Sequence, residues 1–397
     1  MTQLRLIIYF VSTYLISSSV GLNSVIIPLF MEENPQVFGP LFSTIILSTE
    51  SVIAIIICLL MAIIIRKIGI KISLMITIVF RALALAGMAF ITSGTSWLIL
   101  SALVGAGSFF CLMTIQFCIN HIEIKKFKGL VYALFGTIIS LGIATGPIIY
   151  ANKTILSRFL PASTCELWEY GHEGPFIISA ALTLLFSLPL FWNRNILPNL
   201  PNTDSFSIPD LISANKGVLF AVALCGISFF GVSWHITVYG IRNELGLQEA
   251  SLLLTAFMLG SVSLDTPIST LSEYFDRRFV LVYSALICTI LAIFLPLAIY
   301  ENYQAYILLF IWGGLISGMY SISLTLLESK YGPEDALASS TVFALMENTG
   351  AMGGLILIGI LVHFIGTDGF SYVIIFANMV YFSFVLMTYK VKFKSSS

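Results

Sequence analysis

The stretch Pro267-Ile-Ser-Thr-Leu-Ser-Glu-Tyr-Phe-Asp-Arg-Arg278 decides how the rest of the chain is read. It sets Glu273 and Asp276 beside Arg277 and Arg278, as a tight polar turn between two long apolar segments. Lipid offers no partner for open backbone, so two apolar helices meeting at such a turn must re-enter the bilayer side by side. An approximate copy lies 207 residues earlier, at Ala62 to Lys71. There Ala62 takes the place of Ser269, while Lys67, Gly69 and Lys71 supply the turn and the positive charge. The hairpin occurs once in each half of the chain.

Composition agrees with this reading. The chain is 58% hydrophobic and 10% charged, with a mean hydropathy of +0.99, whereas a soluble domain carries roughly 25% charged residues. A net charge of −1, with Lys and Arg in small groups at helix ends, gives no clustered basic surface for nucleic acid. The first apolar run, Leu6 to Phe30, is too long for the core of a secretion signal and is read as the first span. Of the six cysteines, Cys58, Cys111, Cys118, Cys225 and Cys288 fall inside apolar runs and only Cys165 in a loop. No disulfide framework is implied, and neither the cysteines nor the scattered His121, His172, His235 and His363 have metal-ligand spacing. No metal site is expected.

About twenty apolar residues cross a bilayer. Twelve segments qualify, starting near Leu6, Phe42, Ile72, Trp97, Gly129, Pro175, Lys216, Ala250, Phe279, Ala305, Ala336 and Phe370. Even parity places both termini on one side, and that side holds 15 Lys and Arg against 3 on the other, with Arg81 inside a span. The positive-inside rule then makes the termini cytoplasmic. The stretch 193–215, rich in Pro, Asn, Ser and Asp, has loop composition. It divides a first group of six spans, 1–192, from a second, 216–397. Two further landmarks repeat at an offset of 208: Gly105-Ala-Gly107 against Gly313-Gly314, and Gly142-x-x-x-Gly146 against Gly350-x-x-x-Gly354. The expected fold is an all-α membrane protein of twelve transmembrane helices in two pseudo-symmetric six-helix bundles. Parallel repeats of this kind belong to carriers whose bundles rock about a central site.

Four ionisable side chains fall well inside spans: Glu50, Arg81, Asp265 and Glu347. Each costs about 2.5 to 3.5 kcal/mol at a helix centre on insertion scales, so each must face protein or water, and each is a candidate for function. Glu50 and Arg81 sit at depths a few ångströms apart by the helical rise, and an ion pair between them is expected, for structural pinning or for coupling. Asp265 and Glu347 have no Lys or Arg within the spans of their half. A carboxyl in low dielectric without a cation takes up a proton readily, so Glu347, Asp265 and Glu50 are the proton-coupling candidates. The plainer reading is a neutral acid bonded to a neighbouring helix. Gly142, Gly146 and Pro147, with Gly350 and Gly354, permit close helix approach and a local bend, read as flexible contacts between the bundles or as plain packing.

At this point the residues resemble a known family. The hairpin is similar to the loop signature of the major facilitator superfamily, Gly-x-Leu-Ala-Asp-Arg-x-Gly-Arg-Lys, with Leu271-Ser-Glu273-Tyr-Phe-Asp276-Arg277-Arg278 as a variant of it. Gly142-x-x-x-Gly146-Pro147 resembles the superfamily's antiporter motif. Gln116-Phe-Cys-Ile-Asn120, followed by Lys128-Gly129 and Tyr132, is similar to a pattern in a small bacterial branch of sugar or drug efflux carriers. The chain departs from these patterns at Arg66, where the family has an acid, at Tyr274 in place of an Arg, at Gln116 in place of a membrane Glu, and at Ser101, where many antiporters carry an Arg.

The resemblance implies that spans one, four, seven and ten line a substrate cavity, with Asn23, Gln116, Asn120, Trp234, His235, Tyr320 and Ser321 as polar or aromatic lining. It also implies that Lys67, Gly69, Lys71, Glu273, Asp276, Arg277 and Arg278 form gating loops. A lone His235 is as well read as an interface histidine. The expected protein is a secondary carrier that moves a small molecule by alternating access, with proton-coupled efflux in a bacterial inner membrane. It needs no cofactor, acts as a monomer, and has protons, its substrate and the lipid bilayer as partners. No Walker-type phosphate loop is present, which argues against direct ATP use. A proton-coupled importer is the alternative. An intramembrane lipid-modifying enzyme would need a nucleophile and a base within reach, and no such cluster is visible, so no enzyme is expected.

Overall fold

The computed structural model describes residues 2–120, 128–152, 173–192, 208–300, 302–328 and 336–395. Among them the structure is helical, with no strand. Twelve long helices follow one another: α1 (Thr2–Glu33), α2 (Pro40–Ile68), α3 (Ile70–Phe90), α4 (Gly94–Asn120), α5 (Lys128–Ala151), α6 (Glu173–Trp192), α7 (Lys216–Arg242), α8 (Leu247–Tyr274), α9 (Arg277–Ala298), α10 (Asn302–Glu328), α11 (Ala336–Ile365) and α12 (Gly369–Ser395). Eleven are long and apolar enough to cross a membrane, and α12 contains a shorter apolar helix, Gly369–Val385. The chain is a multi-pass integral membrane protein. Of the expected linker, residues 193–207 lie outside the described residues; the remainder holds a helical turn, Ile208–Ala214, rather than open loop.

Local chemistry sets where the helices break. Gly69 ends α2 and precedes α3 in a single residue, at φ +85° and ψ 148°, a backbone conformation that glycine alone adopts freely. The matching turn between α8 and α9 needs no such residue, because Asp276 caps α9 by accepting the Arg278 backbone N–H at 2.9 Å. Pro40 opens α2 in the first helical turn, where its missing N–H leaves no bond unmade.

The chain divides into two compact units, 1–203 with 246–255, and 204–245 with 256–397. In the first, α1 packs along α5 and α6, α3 lies against α4 and α6, and α2 against α4. In the second, α7 packs along α11 and α10, and α9 lies against α10 and α12. The pairings of the first unit therefore recur six helices later. One end of the first unit is closed by aromatic packing: Trp97 stacks on Phe30 at 4.6 Å and meets Phe176 edge-on at 5.7 Å.

The glycines that repeat in the sequence account for the recurring α1–α5 and α7–α11 pairs. A Cβ on Gly146 would lie 2.1 Å from the Leu22 backbone nitrogen, and one on Gly142 2.5 Å from Ser17 Cβ. In the second unit a Cβ on Gly350 would lie 2.0 Å from the Ala223 carbonyl oxygen, and one on Gly354 2.9 Å from Ile227. Two partners absent from the sequence reading complete the arrangement. Gly21 faces the Ile143 carbonyl and Gly226 the Glu347 carbonyl, each with room for no Cβ (2.1 Å). Pro147 belongs to this crossing too. Lacking an N–H, it leaves unused the carbonyl four residues back, Ile143, and that is the oxygen placed against Gly21. Each of Gly142, Gly146, Gly350 and Gly354 thins a helix face turned to the first helix of its own unit, because main-chain approach there is too close for a side chain.

Candidate functional site

Arg81 stands at the centre of the polar interior of the first unit. It is wholly buried on α3, and its neighbour on α4 is Gly107, where a Cβ would come within 2.5 Å of Arg81 Cβ. The guanidinium donates from Nε to Ser108 Oγ on α4 at 3.0 Å, and from Nη1 to Ser19 Oγ on α1 at 2.9 Å and to Thr183 Oγ1 on α6. Each of these hydroxyls also has a backbone carbonyl acceptor: Ser108 to Val104, Thr183 to Ser179 and Ser19 to Ser179, all at 2.9 Å. A hydroxyl has one proton to give and two lone pairs, so donating to the backbone leaves a lone pair aimed at the cation. The network extends through Ser179, whose Oγ donates to Asn23 Oδ1 at 2.6 Å. Arg81 Nη2 and Asn23 Nδ2 are buried with no hydrogen-bond partner among the described residues.

The ion pair expected between Glu50 and Arg81 does not form. The arginine's bonds go to hydroxyls, and among the described residues the half-buried Glu50 carboxyl makes neither a hydrogen bond nor an ion pair. The cause lies in α4. Glu50 packs against Gly105, where a Cβ would sit 2.7 Å from its Cα, whereas Arg81 packs against Gly107. Positions two apart on a helix face nearly opposite sides, so the two residues pack on different faces of α4, while α1 and α6 bring hydroxyls to the guanidinium.

In the second unit the two acids have different settings. Asp265, half-buried on α8, accepts at Oδ1 from Ser321 Oγ of α10 at 2.8 Å and from Ser269 Oγ one turn along at 3.3 Å. Glu347, half-buried on α11, has its main-chain carbonyl locked against Gly226, yet its carboxyl makes no hydrogen bond among the described residues. Adding a proton to Asp265 would disturb its bonds to Ser321 and Ser269, whereas at Glu347 it would disturb none among the described residues.

The expected cavity residues are dispersed in role. Asn23 is buried in the Arg81 network rather than lining a cavity, since Ser179 of α6 holds it. Trp234 is buried. His235 is half-buried, its Nδ1 3.2 Å from the Gly231 carbonyl and its ring stacked on Phe370 at 6.2 Å, as an interface histidine is. Tyr320 meets Phe343 edge-on at 4.8 Å, its neighbour Ser321 holds Asp265, and Gln116 is half-buried. The Asn120 side chain lies outside the described residues. Of the expected gating residues, Lys67, Gly69, Lys71, Glu273, Asp276 and Arg278 are exposed and Arg277 is half-buried. No group of three or more His, Cys, Asp or Glu that could hold a metal occurs among the described residues. The sequence reading missed Ser19, Ser108, Ser179 and Thr183. Their signal was present as polar residues one turn apart in otherwise apolar helices, Ser19 with Asn23 and Ser179 with Thr183.

Comparison with known proteins bears on the fold. The chain resembles, over 97% of its length and 95% of the other's, the inward-facing, unoccupied structure of a bacterial homolog of the human lysosomal transporter Spinster, with a TM-score of 0.72 at 12% identity. A mutant of the nucleoside transporter NupG aligns over 96% of this chain and 99% of its own, with a TM-score of 0.71 at 15% identity. In sequence, 222 residues are 23% identical to the Bacillus subtilis (strain 168) protein YfkF, described as an uncharacterized MFS-type transporter. The match covers 54% of this chain and spans about half, 53%, of that relative's length. Residues 217–396 match the family described as the Major Facilitator Superfamily. That match lies in the second half of the chain and covers less than half of its length, while the likeness to the two solved structures, which runs the length of the chain, is one of fold.

Proposed function

We propose that the chain is a secondary active transporter that moves a small molecule across the membrane by alternating access, with proton-coupled efflux as its direction and energy source. Glu347 is the observation that carries the proposal: a carboxyl set inside a span, half-buried, with no hydrogen bond among the described residues and no Lys or Arg well inside the spans of its half. Such a group takes up and gives back a proton without breaking other contacts, as a coupling group must. Asp265, held by two hydroxyls, is the secondary candidate. The recurring α1–α5 and α7–α11 crossings support a two-halved carrier, 1–192 and 216–397 joined through 193–215. Of the two solved structures described above, one is of a protein named as a nucleoside transporter and the other of a bacterial homolog of a lysosomal transporter. The distribution of Lys and Arg supports both termini in the cytoplasm, and a bacterial inner membrane is the location we propose.

The direction of coupling has its own test. Proteoliposomes of the purified protein are given an imposed pH gradient and a panel of labelled sugars, nucleosides, amino acids and cationic dyes. Antiport predicts accumulation of one of these compounds when the lumen is the acid side, as protons leave and substrate enters. Accumulation only with the outside acid establishes the importer instead. Chemical turnover of a lipid in detergent, with no gradient, overturns the carrier reading in favour of an enzyme.

A further inference from the structure

Asp265 sits among hydroxyls from two helices. Ser321 Oγ of α10 donates to its Oδ1 at 2.8 Å and Ser269 Oγ of α8 at 3.3 Å, and Ser317 turns a third hydroxyl to the same carboxyl. Ser269 follows Asp265 by four residues and Ser321 follows Ser317 by four, so each pair shares one face of its helix. The two faces are held together at the backbone, because neither Gly314 nor Gly318 of α10 has room for a Cβ against Leu264 and Ile268 of α8. Such close approach is what lets side chains as short as serine meet across the crossing. All four polar residues are half-buried, so the group is not sealed from an entering ion.

Three hydroxyls and one carboxyl offer only oxygen, the ligand of hard cations. From Asp265 to the end of α8 at Tyr274 is nine residues, about 14 Å by the helical rise. That is close to halfway through a hydrocarbon core about 30 Å thick. An ionised carboxyl at such a depth needs a partner, and the second unit has no Lys or Arg well inside its spans. The first unit shows how this chain surrounds a cation with hydroxyls. Ser108 and Thr183 donate to the carbonyls four residues back and turn a lone pair to the Arg81 guanidinium. Ser321 and Ser269 have the matching carbonyls in their own helices, those of Ser317 and Asp265. By moving their protons there, they exchange donation to the carboxyl for coordination of an ion beside it.

We propose that Asp265, Ser269, Ser317 and Ser321 form a binding site for one small monovalent inorganic cation of the sodium type. One carboxyl balances one positive charge, and the site has neither the several acids of a calcium site nor the His or Cys of a transition-metal site. All its ligands belong to α8 and α10, so an occupant ties these two helices together. Asp265, second to Glu347 as a proton carrier, thereby receives a different ion. The site is independent of Glu347 and of the direction of transport.

The test is equilibrium binding of radiolabelled sodium to the purified full chain in detergent, at fixed pH, with choline chloride holding the ionic strength. The parent binds saturably, near one ion per chain. Asp265→Asn, which keeps the shape of the side chain and removes its charge, abolishes saturable binding. Ser321→Ala weakens it by about tenfold or more, and Ser321→Thr, which restores a hydroxyl, returns it toward the parent. Ser263→Ala, on the opposite side of α8, leaves it unchanged. Melting temperatures in choline chloride identify the folded variants, and should Asp265→Asn fail to fold, the two Ser321 variants decide. No saturable binding by the parent, undiminished binding by folded Asp265→Asn or Ser321→Ala, or equal losses in Ser321→Ala and Ser321→Thr overturns the site. Because no gradient and no transported compound is used, either result is distinct from success or failure of the Glu347 reading.

Discussion

Arg81 shows what a single buried cation demands and what can satisfy it. Removing one hydroxyl strips a bond from a charge with no water to replace it, and a hydrogen bond to a charged group is worth about 1.5–3 kcal/mol. Removing the charge leaves Ser19, Ser108 and Thr183 with their backbone acceptors intact. Buried charge replaced by an apolar side chain of similar volume is neutral or stabilising by about 1–4 kcal/mol. Ser19→Ala and Thr183→Val therefore lower the thermal stability of the purified protein, while Arg81→Met leaves it unchanged or raises it. A loss on Arg81→Met as large as those of the hydroxyl variants would contradict this account of the cage. The sequence displayed the cost of Arg81 plainly, since a cation in an apolar run is visible by eye. Its partners were not legible, because depth along the bilayer can be counted from residue number but the face of α4 against which Glu50 and Arg81 each pack cannot.

At the level of helices, the sequence was most informative where an apolar run is long and its interruption short. Each helix begins at or a few residues before the expected start, and Gly69 and Asp276 mark turns by chemistry that needs no tertiary context. Glycine spacing showed that α5 and α11 present small faces; it did not say to which helix. Gly21 and Gly226 were overlooked because a lone glycine in an apolar run carries no pattern. Their importance comes from the main-chain oxygens opposite, which cannot withdraw as a side chain can. Gly146→Val is accordingly expected to separate α1 from α5 and to remove folded protein from size-exclusion profiles, whereas Val at Gly136, where a Cβ would meet nothing within 4 Å, leaves the profile unchanged. Equal behaviour of the two variants would refute the claim that backbone contact holds the crossing.

Over the whole molecule, the features that repeat and those that do not have separate physical origins. Helix pairings and close-approach glycines recur in the two units, because both solve the same packing problem. The charges do not recur. The residue 207 positions after Arg81 is Cys288, the one 207 before Asp265 is Cys58, and the one 207 after Glu50 is Phe257. Among these groups Glu347 stands apart as the acid in the second unit whose carboxyl no hydrogen bond holds among the described residues. The direct measurement is gradient-driven flux against substrate exchange in proteoliposomes, for the parent and Glu347→Gln, using a compound that the parent moves. The account predicts that the variant keeps exchange of labelled for unlabelled compound across the membrane and loses accumulation driven by a pH gradient. Accumulation by Glu347→Gln at the parent's level would contradict it.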